Sequence, residues 1–77
     1  MTDPEPINSA TVRASQIRQF INECLEPLAA HIEAARLMNS IEDDSAVRYN
    51  LQKTQSYLRN ASSALAELDK LKKGISK

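Results

Sequence analysis

The sequence has no tryptophan, one cysteine, one glycine and no net charge. Each shortage excludes something. A lone cysteine, Cys24, makes no intrachain disulfide, and no CxxC or CxxC…HxxxH spacing is present. That excludes a disulfide-stapled secreted fold and a structural zinc site within one chain. Ten basic and ten acidic side chains cancel, so no global field draws the chain onto nucleic acid or an anionic membrane. No apolar run approaches the roughly 20 residues a helix needs to span a bilayer. The first residues, MTDPEPINS, are acidic and proline-containing and lack the cationic-then-apolar order of a secretory leader. The expectation is a cytoplasmic protein of a reducing compartment, with no membrane contact. With one glycine, Gly74, close to the end, the chain has little to supply the positive φ that hairpin turns need, which argues against an all-β fold.

What is present points to helices. Ten of the 77 residues are alanine, and Leu, Gln, Glu, Lys and Arg fill much of the rest. These side chains lose least on entering a helix. The fold class is all-α, in one small domain. Residues 1–7 read as a disordered arm, because Pro4 and Pro6 oppose a helix and only Ile7 is strongly apolar. The helical domain then covers 8–77. Asn8 suits an N-cap, with Ile7 and Val12 placed as a hydrophobic staple.

The first helix is expected over about residues 9–38. Val12, Ile17, Phe20, Ile21, Cys24, Leu25, Leu28, Ile32, Ala35 and Met38 follow in steps that put them on one broad stripe. Pro27 interrupts it, since proline lacks an N–H and its ring clashes with the carbonyl of Glu23. The helix either kinks there or ends and restarts. The stripe keeps its phase across the proline, which favours the kink.

A turn is expected over about 39–44, with Asn39 as a left-handed C′ residue and Ser40 to Asp43 as a variant capping box. The second helix is expected over about 45–73. Its pattern is stricter: Leu51, Leu58 and Leu65 fall at one heptad position, and Val47, Ala61, Leu68 and Ile75 at another. Tyr57, Ala64 and Leu71 widen that stripe on one flank. Lys70, Lys72 and Lys73 suit the helix C-terminus, with Gly74 as its stop.

Two long helices joined by a short turn make an antiparallel hairpin. One shared seam leaves each stripe about half exposed. The expected architecture is therefore a hairpin, kinked at Pro27, that dimerises into a four-helix bundle; the alternative is a three-helix bundle that folds back at Pro27. The expected core and interface residues are Ile17, Phe20, Ile21, Cys24, Leu25, Leu28, Ile32, Ala35, Leu51, Leu58, Ala61, Leu65 and Leu68.

Chemistry-bearing clusters are sparse. Residues 1–45 carry eight acids and three bases, and residues 46–77 seven bases and two acids, giving −5 and +5. Attraction between an acidic and a basic helix fits a hairpin. A nucleic-acid surface on the second helix is the competing reading, but its bases occupy several heptad positions, with Tyr49 and Tyr57 the only aromatics nearby. A helix-turn-helix reader would have to use residues 9–25 and 28–38, and the second of these has only His31 and Arg36 to meet phosphates or bases. Cys24 and His31 lie seven apart, so two copies of each in a dimer would offer a Cys2His2 set to zinc. Glu23, Glu26 and His31 miss the Glu-x-x-His spacing of di-iron bundles. A free cysteine is far more often a small buried apolar group than a ligand. No nucleophile has an orienting partner, and one glycine excludes a phosphate-binding loop.

The expectation is therefore a small non-enzymatic helical module for protein–protein interaction, acting as an adaptor, chaperone-like partner or regulator. It self-associates as a homodimer, binds a further unknown protein and needs no cofactor. A nucleic-acid-associated regulator using the second helix is the alternative, and a metal-binding bundle the second alternative.

Overall fold

The computed structural model of the chain describes residues 5–76, with side chains described over 9–73. Two helices form it: α1 (Glu5–Ser40) and α2 (Asp44–Ser76). They pack side by side as a hairpin of 61 × 24 × 12 Å. Arg13 meets Glu67 near the open end and His31 meets Asn50 nearer the turn, so the helices run antiparallel.

α1 begins at Glu5 rather than near residue 9, so Asn8 lies inside the helix instead of capping it. Pro6 falls in the first turn, where a backbone N–H has no intrahelical acceptor in any case. Residues 1–4 of the expected arm lie outside the described residues, and so does the side chain of Ile7 in the expected staple. Further on, α1 passes through Pro27 as one element. The three-helix alternative needs a reversal there and does not fit a chain of two helices.

The turn is tighter than expected and uses different residues. The Asp43 N–H donates to the Met38 carbonyl at 2.9 Å, and the Glu42 N–H to the Asn39 carbonyl at 3.1 Å. This is the paired bonding of a Schellman motif, with Glu42 at the left-handed position, φ 62°. Asn39, expected there, is still helical. α2 starts at once: Asp43 Oδ1 accepts from the Ala46 N–H at 3.1 Å, which makes Asp43 the N-cap in place of Ser40. The Ser40 hydroxyl instead donates back to the Leu37 carbonyl at 2.7 Å.

The seam is built from one inward stripe on each helix. On α1 the inward row is Ile17, Ile21, Cys24, Leu28, His31, Ala35 and Met38, in alternating steps of four and three. On α2 it is Val47, Asn50, Thr54, Tyr57, Ala61, Ala64, Leu68 and Leu71. Ile17, Ala64 and Leu68 form the buried cluster, with Ala14, Ile21 and Leu71 against it. The expected heptad phase of α2 is therefore corrected. Its Val47, Ala61 and Leu68 row is inward, but its partner row is Asn50, Tyr57, Ala64 and Leu71, not Leu51, Leu58 and Leu65. Cys24, Ala35, Ala61 and Ala64 are all buried and small, which lets two helix backbones approach closely.

Candidate interaction surface

The expected core and interface residues separate into two sets. Ile17, Cys24, Ala35, Ala61 and Leu68 are buried, and Ile21 and Leu28 are half-buried, all in the hairpin seam. Phe20, Leu25, Ile32, Leu51, Leu58 and Leu65 are exposed, each by 43–52%. An α-helix turns by about 100° per residue, so positions seven apart lie nearly one above the other. On α2, Leu51, Leu58 and Leu65 thus form a row beside the seam. On α1, Leu25 and Ile32 form another, next to Ile21 and Leu28. In an antiparallel pair these two rows flank the seam on the same side of the hairpin. Together they place five bulky apolar side chains on that side of the hairpin.

The opposite side differs in character. There an open cleft of about 370 Å3 is lined by Arg13, Gln16, Ile17, Phe20, Asn60, Ser63, Ala64 and Glu67. Its large apolar groups are the exposed Phe20 and the buried Ile17. Arg13 and Glu67 bridge it at 3.6 Å, both well exposed. Such an exposed pair contributes on the order of 0–1 kcal/mol.

Near the turn the seam carries a polar layer. Asn50 Nδ2 donates to the Ala46 carbonyl at 2.8 Å, leaving Oδ1 toward His31 Nδ1 at 2.7 Å. An amide oxygen only accepts, so His31 carries its hydrogen on Nδ1 and donates. The His31 ring stacks on Tyr57 at 5.9 Å and meets the edge of Tyr49 at 6.3 Å. Lys53 Nζ lies 5.6 Å from the Tyr49 ring centre. Asn50 is a buried polar residue, and every buried side-chain polar atom among the described residues has a partner. The sequence reading missed Asn50. The signal was its spacing of three from Val47 and four from Thr54.

The structure also places the other sequence candidates. Cys24 and His31 share the inward side of α1, but His31 is engaged with Asn50, and no group of three or more metal-ligating side chains exists among the described residues. Residues 9–25 and 28–38 belong to one helix, so no helix-turn-helix forms there. Half of the eight acids in residues 1–45 lie outside α1, at Asp3 and in Glu42, Asp43 and Asp44. α1 itself has four acids and three bases, net −1, while α2 has six bases and three acids, net +3. The bridge from Arg13 to Glu67 runs against the expected polarity, with the base on α1. Arg36 instead pairs within α1, donating to Glu33 at 3.1 Å, and that bond raises its guanidinium above the ordinary arginine value.

Comparison with known proteins gives no match to a family model, a curated protein or a solved structure. Among the described residues, no helix is long and apolar enough to cross a membrane.

Proposed function

We propose that this chain is a small, non-enzymatic helical interaction module that self-associates through a helix face and serves as an adaptor, chaperone-like partner or regulator in the cytoplasm. The observation that supports this reading is the row of Leu51, Leu58 and Leu65 beside Leu25 and Ile32, all about half exposed on one side of the hairpin. Contiguous exposed apolar surface of this kind marks interaction sites in soluble proteins. In this reading the hairpins assemble as a four-helix bundle, and a bend at Pro27 lets α1 follow the twist of its neighbours. The basic side chains of α2 do not form a single stripe, which favours a protein partner over nucleic acid.

The test is the solution mass at micromolar concentration. Twice 8.6 kDa supports self-association. A mass of 8.6 kDa that persists at high concentration overturns it.

A further inference from the structure

We propose that a second copy of this chain covers the leucine face in antiparallel orientation, with a twofold axis that crosses both helices at the level of Leu58. This rests on the self-association reading above and adds the face, the orientation and the residue at the axis.

The surface area leaves room for a large partner. The chain exposes 5863 Å2. A folded monomer of 8.6 kDa is expected to expose about 4,700 Å2. The excess, about 1,200 Å2, exceeds the roughly 800 Å2 that one partner contributes to a standard interface.

The pattern of α2 fits itself when reversed. At steps of seven it reads Asp44, Leu51, Leu58, Leu65, Lys72. Turned end for end about Leu58, Leu58 meets Leu58 of the second copy and Leu51 meets Leu65. Asp44 meets Lys72, opposite in charge. On the adjoining row Arg48 comes within one residue of level with Asp69, again opposite in charge. A twofold axis running along the helices does the reverse. It gathers Glu42, Asp43 and Asp44 of both copies at one end and Lys70, Lys72 and Lys73 at the other, and like charges repel.

α1 has the same symmetry at the same level. Its stripe on that side, Ala14, Arg18, Ile21, Leu25, Leu28 and Ile32, takes in the half-buried seam residues Ile21 and Leu28 with the exposed Leu25 and Ile32, and its positions are symmetric about Glu23. Reversal about that point sets Ile21 against Leu25 of the second copy, Ala14 against Ile32 and Arg18 against Leu28, where the arginine stem lies on the leucine and its head reaches water. His31 faces Asn50 and Arg13 faces Glu67, so residues whose numbers add to about 80 stand level. By that measure Glu23 stands level with Tyr57 and Leu58. A twofold axis perpendicular to the helices requires one midpoint for both rows, and the hairpin register supplies it. Neighbouring helices are antiparallel with either axis, so the end charges and the midpoint, not the helix dipoles, choose between the two.

Two measurements test the arrangement. On a Cys24→Ala background, Leu58→Cys alone should give a covalent dimer on mild oxidation, and Leu51→Cys should give one only when mixed with Leu65→Cys. Spin labels on Ile41→Cys, which is exposed in the turn and off the face, should lie about 55 Å apart. Ile41 is 18 residues along from the axis at about 1.5 Å per residue, and the distance doubles across it. The spin-label result holds even if a cysteine in the face perturbs the fold. A dimer with turn labels closer than about half that distance overturns the antiparallel orientation and leaves self-association standing. So does a covalent dimer from Leu51→Cys by itself. A monomer overturns both readings.

Discussion

The His31 to Asn50 bond makes a prediction with a definite sign pattern. Asn50 is 8% exposed, and its Oδ1 has His31 Nδ1 as donor at 2.7 Å. Replacing His31 with leucine strands that oxygen in the seam. A buried acceptor left without a partner costs about 1–3 kcal/mol, and the lost stack on Tyr57 adds about 0.5–1. Replacing Asn50 with leucine strands the His31 N–H instead. His31 is only half-buried, so water can reach it, and the cost falls near 1 kcal/mol. Replacing both removes two polar groups together and puts leucine against leucine. That change should be close to neutral or stabilising.

The double-mutant cycle therefore should not add. Both single variants lose stability, the double variant recovers it, and the coupling energy is about 2.5–5 kcal/mol, the sum of the two single costs. Urea denaturation at one fixed protein concentration measures it, since association contributes to apparent stability. If the double variant costs the sum of the singles within about 0.5 kcal/mol, the bond contributes nothing and the argument fails.

Other outcomes follow from the same structure. Leu68→Ala, at a side chain 1% exposed, should cost about 2–5 kcal/mol at any protein concentration, as judged by its urea midpoint. Glu42→Gly should raise stability by about 1 kcal/mol, because glycine takes the left-handed position without a steric penalty; for a chain of this size the melting midpoint should rise by about 4–8 °C. Asp43→Ala should cost about 1 kcal/mol through loss of the cap on Ala46, read in the same melting experiment. Pro27→Ala should restore a backbone bond to Glu23 and raise helicity by circular dichroism, while weakening association if the bend serves the bundle.

The number of helices, their antiparallel pairing and the position of the break were legible because each depends on strong local signals. A heptad-like apolar period, an acidic cluster before the second helix and a near absence of glycine leave few other folds. The phase of α2 was not legible, for a physical reason. It carries three adjacent rows, led by Val47, Leu51 and Asn50, and hydrophobicity alone ranks the leucine row first. The seam of a two-helix pair instead selects for close approach, so Ala61 and Ala64 go inward while Leu58 and Leu65 stay out. His31 and Asn50 were invisible for a related reason. Each looks polar alone, and only the register that sets them level makes them a buried pair. The turn was misread because Asn39 is the better left-handed residue by propensity, whereas the bonds to Met38 and Asn39 place that strain on Glu42. On α1, Ile17, Cys24, Leu28 and Ala35 lie inward. Leu25 and Ile32 joined them only because two adjacent rows merged into one stripe.

That merging has a consequence for how the protein holds together. Small residues take four of the buried seam positions, Cys24, Ala35, Ala61 and Ala64, while several bulky ones face outward. Leu68 is the large side chain that the hairpin buries completely among the described residues, while Leu25, Ile32, Leu51, Leu58 and Leu65 stay about half in water. A hydrophobic core in a chain this short rarely supplies more than about 3–5 kcal/mol. A pair of hairpins would bury ten of these outward side chains, five from each copy, at about 25 cal/mol for each Å2 of apolar surface removed from water. Folding and association then become one equilibrium, and the midpoint of unfolding should rise with protein concentration. A midpoint that stays fixed over a hundredfold range of concentration would mean that the seam alone sustains the fold, and that the outward leucines await some partner other than this chain itself.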